Sequence, residues 1–261
     1  MRQAIKKLFQ SFGYEIRRQD SQGNPILAVG NMQLFLEDLR KRGFVPQSIL
    51  DVGANRGNWS RMVKSVFPAA NCFLIEPQVE MKPFLDSFCQ DFPGSQWFLA
   101  GAGAVPGELT LNVSDNLDGA SFLIPQTDEL KHTLKERTVQ VVTIDSLIEQ
   151  KKIPIPQLVK LDIQGFEIEA LRGGMKIFDH VELFIVEVSL FEFKDRMPIF
   201  HEVISFMEER DYLVYNFAGF LQRPYDGALG QVDVCFAKRD GALRGPSGSI
   251  PLWKKHPVQQ V

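Results

Sequence analysis

Short apolar runs alternate with amphipathic segments through the first half of this chain. Apolar residues at 49–52, 72–75 and 97–100 predict three strands. Helical spacing of apolar residues at 59–66 and 81–92 predicts the helices that connect them. Strands and helices that alternate in this way form a mostly parallel sheet with helices on both faces.

The same alternation returns in the second half of the chain. Residues 158–162 and 181–188 predict a fourth and a fifth strand, and 198–209 predict an amphipathic helix. Residues 212–217 and 233–237 predict a closing hairpin, which gives the sheet an antiparallel edge strand. We therefore expect one α/β domain whose ligand crevice lies along the carboxyl ends of the parallel strands.

Between these halves, residues 101–145 interrupt the alternation. Residues 107–113 alternate polar and apolar side chains, 115–121 are rich in turn formers, and 138–144 are mostly β-branched. This pattern predicts an antiparallel excursion above the sheet, and a long insertion at this edge commonly carries specificity. We interpret Asp145 as the N-cap of the short helix that follows.

The most informative segment is 48–57, where an apolar strand ends in Asp51 and turns into a helix through Gly53 and Gly57. Glycines at such a turn let the backbone approach a ligand closely. The next apolar strand ends in Glu76, a carboxylate placed to accept hydrogen bonds from a ribose diol. Together these residues predict a nucleoside-type cofactor site. A tight strand-to-helix turn that binds nothing is the simpler alternative.

Two familiar glycine motifs differ from this loop. A dinucleotide fingerprint requires G-x-G-x-x-G and a phosphate loop requires G-x-x-x-x-G-K-[ST], whereas Gly53 and Gly57 form G-x-x-x-G. The carboxylate of Asp51 would repel a pyrophosphate but suits a ligand that carries an ammonium and a sulfonium. The loop therefore favours S-adenosyl-L-methionine over a dinucleotide.

Composition narrows the class of protein. The chain has 261 residues, 44% of them hydrophobic, and a net charge of −3, so we expect one main domain and no nucleic-acid partner. Cys72, Cys89 and Cys235 lack metal-binding spacing and fit reduced core residues. Neither a membrane span nor a signal peptide is evident, which favours a cytoplasmic protein.

A basic amphipathic pattern covers residues 1–18, with apolar side chains at helical spacing and lysines and arginines around them. We expect this helix to pack on the domain, either as a lid over the cofactor pocket or as a contact to a second subunit in a homodimer. Peripheral contact with a membrane surface is the alternative.

Three motifs occur in an order that resembles a known family. Residues 49–57, 143–147 and 159–173 together are similar to the FkbM family of S-adenosylmethionine-dependent methyltransferases. The resemblance implies a class I, Rossmann-like methyltransferase fold with a seven-stranded sheet. The similarity covers roughly residues 48–188. From the patterns along the chain, we expect an N-terminal helical extension over 1–45, a methyltransferase domain over 46–238 and, since it is rich in Gly and Pro, a weakly ordered tail over 239–261.

The resemblance further implies methyl transfer to a hydroxyl oxygen of a sugar, glycan or natural product. It assigns Glu76 to the ribose of the cofactor, the glycine loop to its methionine end, and residues 101–102 to its adenine. Asp51, the carboxylate at the end of the first strand, completes the set of predicted cofactor-binding residues. These are Asp51, Gly53, Asn55, Gly57, Glu76, Gly101, Ala102 and Asp162. A cofactor-binding regulatory module without turnover is the alternative. Its one hint is Gln164, where the family commonly has a glutamate.

Three residues are candidates for the base that removes the acceptor proton. Asp162 ends the fourth strand beside the expected methyl group, Glu187 lies near the end of the fifth strand, and His201 lies in the helix after it. Glu167 and Glu169 are expected to be solvated. A divalent metal held by the first two candidates stays possible, although no D-x-D motif or histidine cluster favours it.

Overall fold

A computed structural model of the chain describes residues 29–115, 117–126 and 133–245. The predicted helix over 1–18 and the part of the predicted tail beyond residue 245 lie outside these ranges. Within them, the sequence-predicted elements recur in the predicted order.

Ten strands and six α-helices lie within the described residues. The strands are β1 (Ser48–Val52), β2 (Asn71–Glu76), β3 (Gln96–Leu99), β4 (Gly101–Ala102), β5 (Gly107–Val113), β6 (Lys135–Val142), β7 (Leu158–Leu161), β8 (Leu183–Ser189), β9 (Tyr212–Gln222) and β10 (Leu229–Lys238). The helices are α1 (Met32–Lys41), α2 (Asn58–Val66), α3 (Lys82–Asp91), α4 (Ile144–Glu149), α5 (Glu167–Arg172) and α6 (Phe200–Glu208), with 3-10 turns at Val79–Met81 and Met175–Ile177.

Seven strands form the central sheet in the order β3-β2-β1-β7-β8-β10-β9. The neighbours from β3 to β8 are parallel, while β10 runs antiparallel to both β8 and β9. This order places the carboxyl ends of β1 and β7 side by side, at the point where the chain reverses its direction of travel through the sheet. The predicted α/β fold with a mostly parallel sheet is confirmed, and its antiparallel strand β10 lies one position inside the edge, with β9 outermost.

Each face of the sheet carries its own apolar core. On one face, side chains of α1, α2 and α3 pack against the strands, among them the buried Leu36, Val63 and Phe88. On the other face, α4, α5 and α6 pack through residues such as Leu147 and Phe206. The two helical layers hold the strands in register, so that loops at the carboxyl edge form the site on a rigid base.

The predicted excursion forms a separate three-stranded sheet in the order β4-β6-β5. β5 and β6 pair antiparallel, as expected, and β4 joins β6 in parallel. Beyond β5, the chain folds back so that the backbones of Asn112 and Ser121 exchange two hydrogen bonds of 2.8 and 3.0 Å. This pairing closes the excursion on itself, and the Ser121 hydroxyl, which donates to the carbonyl of Gln164 at 2.9 Å, holds it against the carboxyl edge of the main sheet.

Two local predictions about the chain after the excursion were inaccurate. Thr143, not Asp145, is the N-cap of α4, because its side chain accepts a hydrogen bond from the Ser146 amide. Asp145 instead accepts from the amide of Lys176 at 2.9 Å. The closing hairpin is also longer than predicted, since irregular register between β9 and β10 obscures its alternating pattern.

Candidate active site

The turn from β1 to α2 is shaped by glycine. Gly53 has φ +83°, and a Cβ atom on it would lie 2.0 Å from the backbone carbonyl oxygen of Asp162. The amides of Gly53 and Ala54 both donate to the carbonyl of Ile75. A side chain at position 53 would therefore push the turn away from the end of β7, which is why glycine is required there.

Glu76 ends β2 and holds this turn from the other side. Its Oε2 accepts from the amide of Asn55 at 2.8 Å, and its Oε1 accepts from the amide of Gln78 at 2.9 Å. Burial raises the pKa of Glu76, while these two hydrogen bonds favour the carboxylate. Each oxygen keeps a lone pair with which to accept a ligand hydroxyl.

A cleft opens at the carboxyl ends of β1, β2 and β7. Six of the eight predicted cofactor residues line it: Gly53, Asn55, Glu76, Gly101, Ala102 and Asp162. The excursion supplies the facing wall through residues 119–122. The ring of Phe122 lies over Gly101, where a Cβ would approach it to 2.4 Å. Space, a buried carboxylate and a glycine turn thus occur together, as a nucleoside cofactor requires.

The other two predicted cofactor residues, Asp51 and Gly57, do not line the cleft. Asp51 is fully buried, and its Oδ2 accepts from the hydroxyl of Ser60 at 2.6 Å. Its Oδ1 has no partner within the described residues. Gly57, with φ +73°, occupies the N-cap position of α2. In the β1–α2 turn, Gly53 and Asn55 line the cleft, whereas Asp51 and Gly57 do not.

At the end of β7, Asp162 joins a polar cluster. Its Oδ2 pairs with Lys160 Nζ at 2.9 Å, and its Oδ1 accepts from Gln164 Nε2 at 3.2 Å. The same Nε2 donates to Glu187 Oε2 at 2.7 Å, and Gln231 Nε2 donates to that oxygen at 2.9 Å. Two of the three predicted base candidates, Asp162 and Glu187, are therefore bridged by one amide group.

Burial and neighbouring charge set different protonation states in this cluster. Burial opposes ionisation of Asp162, but the ammonium of Lys160 and the hydrogen bonds outweigh it and lower the pKa of Asp162. Burial, followed by repulsion from Asp162, raises the pKa of Glu187 to about 9. At neutral pH, Asp162 is therefore ionised and Glu187 is protonated, so only Asp162 is in the form that accepts a proton.

The structure corrects the prediction that Glu167 is solvated. Its side chain is 4% exposed and accepts hydrogen bonds from the amides of Ile163 and Gly165. Glu167 therefore organises the loop between β7 and α5, because it satisfies amide donors that the short loop leaves unpaired. Glu169 is partly exposed and pairs with Arg172.

His201, the third base candidate, is exposed at the start of α6. It is not among the residues that line the cleft, and its catalytic role stays a prediction. Within the described residues, no group of three or more His, Cys, Asp or Glu side chains is placed to hold a metal ion.

Sequence reasoning missed several polar residues of the site. Lys160 is buried in β7 beside three acidic groups, and a lysine within an apolar run was the available signal, since buried lysines require partners. Gln231 and Asp233 approach Glu187 only because β10 pairs with β8. No local pattern in the sequence indicates that pairing.

A family model decides the identity of this fold. Residues 51–214, more than half of the chain, match the methyltransferase FkbM domain. The chain belongs to the FkbM methyltransferase family. The family match confirms the predicted resemblance and an S-adenosylmethionine-dependent methyltransferase domain. None of the helices in the described ranges is both long and apolar enough to cross a membrane.

Individual relatives are more distant from this FkbM-family chain. The hexuronic acid methyltransferase AglP of Haloferax volcanii is 25% identical over 139 residues, which are 53% of this chain and 54% of the relative. The match thus spans about half the length of that curated relative.

Two solved methyltransferase structures show a weak likeness. Precorrin-6y C5,15-methyltransferase of Geobacter metallireducens is 12% identical with a TM-score of 0.42, covering 78% of this chain and 86% of that one. Aeropyrum pernix fibrillarin, bound to S-adenosyl-L-methionine, is 9% identical with a TM-score of 0.43, covering 77% and 74%. We draw nothing about this chain from likeness at this level.

Proposed function

We propose that this FkbM-family protein transfers a methyl group from S-adenosyl-L-methionine to a hydroxyl oxygen of a sugar, glycan or natural product. The observation that supports this proposal best is the position of Asp162. Its ionised carboxylate lines the cofactor cleft and is linked to Glu187 through the side-chain amide of Gln164. A sugar acceptor is consistent with the name of the hexuronic acid methyltransferase relative.

The residues of the cleft suit each part of the cofactor. Glu76 would accept hydrogen bonds from the ribose diol, and Gly53 and Asn55 would face the methionine end. Gly101 and Ala102 would lie against the adenine. When bound, S-adenosylmethionine supplies a methyl group that is already activated by its sulfonium, so the protein needs to align the acceptor and remove a proton.

Asp162 is the residue that we assign to the acceptor hydroxyl. An ionised carboxylate with a lowered pKa is a weak base, but it orients a hydroxyl hydrogen bond well. A weak base is sufficient because the hydroxyl proton becomes far more acidic as its oxygen bonds to the methyl carbon. Glu187, protonated at neutral pH, holds the bridging amide of Gln164 rather than competing for the proton.

The cofactor assignment is tested by Glu76→Ala. Loss of a charged hydrogen-bond acceptor should weaken the binding of S-adenosylhomocysteine by roughly 10- to 100-fold, measured by isothermal titration calorimetry. Glu108→Ala, on the exposed part of β5, is the matched control and should bind as the wild type does. Equal affinity of a folded Glu76→Ala protein would remove Glu76 from the ribose site.

The reaction class needs a separate measurement. A labelled methyl-transfer screen against monosaccharide, glycolipid and polyketide acceptors should give label on an oxygen, located by mass spectrometry. Label on nitrogen would contradict the O-methyltransferase assignment. Tight binding of S-adenosylhomocysteine without transfer to any acceptor would favour the non-catalytic module instead.

A further inference from the structure

A second cavity, with a volume of about 520 Å³, opens beside the cofactor cleft. Its walls come from the residues just before α1 and the first residues of α1, from α2, and from the parts of β8, β9 and β10 that lie at the carboxyl edge of the sheet. The polar lining includes Glu187, Gln231 and Asp233, and the apolar lining includes Met62 and Phe220. The cavity therefore lies at the same edge of the sheet as the cofactor cleft, farther along the strand order.

One amide group connects the two cavities. Gln164 and Asp162 line the cofactor cleft, whereas Glu187 lines the second cavity. Gln164 Nε2 lies 3.2 Å from Asp162 Oδ1 and 2.7 Å from Glu187 Oε2, so a single amide nitrogen separates the two carboxyl groups. The second cavity therefore borders the polar cluster that contains Asp162.

The walls of the second cavity have the chemistry of a site for hydroxyl groups. The side chain of Asp233 has no hydrogen-bond partner among the described residues, and its Oδ2 lies 2.0 Å from the position that a Cβ on Gly219 would occupy. The absence of a side chain at Gly219 leaves room for this carboxylate. Phe220 is 48% exposed and offers an aromatic face. Carboxylates accept hydroxyl hydrogen bonds, and an aromatic ring packs against the apolar face of a sugar ring.

The charge of the lining distinguishes between kinds of sugar. Within the described part of the chain, the lining of the second cavity contains no Lys, Arg or His, and its acidic residues are Asp233 and Glu187, the latter protonated at neutral pH. A carboxylate-bearing ligand would lose its hydration there and gain no cation in return. The lining therefore opposes a uronic acid, in contrast to the acidic sugar in the name of the AglP relative.

We propose that the second cavity is the acceptor site and that it holds a neutral, hydroxyl-bearing sugar ring, with Asp233 accepting from hydroxyls remote from the reacting one. This inference rests on the proposed function, because it takes the reacting hydroxyl to be the one that reaches Asp162. Asp233 is then a specificity-determining residue that does not take part in the chemistry.

The test is a pair of titrations of the isotope-labelled full chain, followed by NMR. S-adenosylhomocysteine should shift amide signals around Gly53 and Glu76. With that ligand saturating, neutral methyl glycosides of glucose, galactose and mannose should shift signals at 218–221 and the side-chain amide of Gln231. Methyl glucuronide should cause weaker shifts. Asp233→Asn should weaken the best neutral glycoside at least about tenfold, while Asp91→Asn on the exposed surface of α3 should not.

The outcomes separate this inference from the proposed function. Missing shifts with S-adenosylhomocysteine would overturn the proposed function itself. Normal shifts with that ligand, but none at the second cavity with any neutral glycoside, would overturn only the acceptor site. Stronger binding of methyl glucuronide than of every neutral glycoside would also overturn it, as would an unchanged affinity in a folded Asp233→Asn protein.

Discussion

At the scale of single residues, Gln164 shows how an amide can hold two acidic groups together. Its Nε2 donates to Asp162 and to Glu187. A glutamate at this position would add a third carboxyl group beside them and raise the repulsion among them. The amide supplies two donors without adding charge, which lets Asp162 stay ionised next to a protonated Glu187. Gln164 therefore has a structural role of its own, and its presence in place of a glutamate is weak support for a non-catalytic module.

Glu187→Gln tests this assignment of protons. The fold raises the pKa of Glu187 from 4.5 to about 9, so the folded protein holds a proton that the unfolded chain releases. This contribution to stability is complete below the unfolded pKa and is lost as the pH rises toward about 9. Glu187→Gln has a side chain that cannot ionise, so the variant does not lose this stability as the pH rises. Its free energy of unfolding in urea should therefore improve relative to the wild type as the pH rises.

A surface substitution provides the control for this comparison. Glu108→Gln changes the same atoms on the exposed part of β5, and its stability should follow the wild type at every pH. A constant difference between Glu187→Gln and the wild type, from about pH 5 to about pH 9, would mean that Glu187 is ionised in the folded protein.

At the scale of elements, the site is built where connections between strands and helices approach one another. The β1–α2 turn meets the end of β7, and the excursion is fixed to the β7–α5 loop by Ser121, whose hydroxyl donates to the carbonyl of Gln164 at 2.9 Å. The strands supply Glu76, Lys160 and Glu187 to the site, but the contacts of these side chains depend on which strands pair and on the loops that reach them. This dependence explains why strand pattern predicts the fold well but predicts the polar contacts of the site poorly.

The close approach of the β1–α2 turn to β7 is tested by Gly53→Ala. Gly43 offers a matched control, because it also has a positive φ, +94°, but no atom lies within 4 Å of the position that its Cβ would occupy. Both substitutions incur backbone strain of about 1 kcal/mol. Only Gly53→Ala also drives its Cβ into the Asp162 carbonyl, so its melting temperature and its affinity for S-adenosylhomocysteine should fall much further. Equal losses in both variants would show that the turn relaxes freely.

At the scale of the whole molecule, the order of elements and the carboxyl-edge location of the site were predictable from sequence. Apolar runs that end in Asp51, Glu76 and Asp162 mark the strand ends directly. The burial of Glu167 was not predictable, because a glutamate in the first turn of a helix is usually exposed. The second cavity was not predictable either, since Asp233 reaches Glu187 only through the pairing of distant strands.

The central charge of the fold is the ammonium of Lys160, which serves both the site and the stability of the sheet. Lys160 is 6% exposed and pairs with Asp162. Burial lowers the pKa of Lys160, but the nearby carboxylates of Asp162 and Asp51 outweigh burial and raise it. Lys160→Met would keep the apolar stem but leave buried carboxylates without a cation. We expect a loss of about 3–5 kcal/mol in the free energy of unfolding near neutral pH.

That loss should depend on pH in a defined direction. Lys160 lowers the pKa of Asp162, so the stabilisation is present above the unfolded pKa of the carboxyl group and fades as the pH falls through the folded value. In Lys160→Met, protonation at low pH removes the uncompensated charge. Urea unfolding should therefore show a larger difference from the wild type at about pH 8 than at about pH 4, whereas the exposed control Lys152→Met should differ little at either pH. A pH-independent difference would mean that Lys160 stabilises the sheet through packing rather than charge.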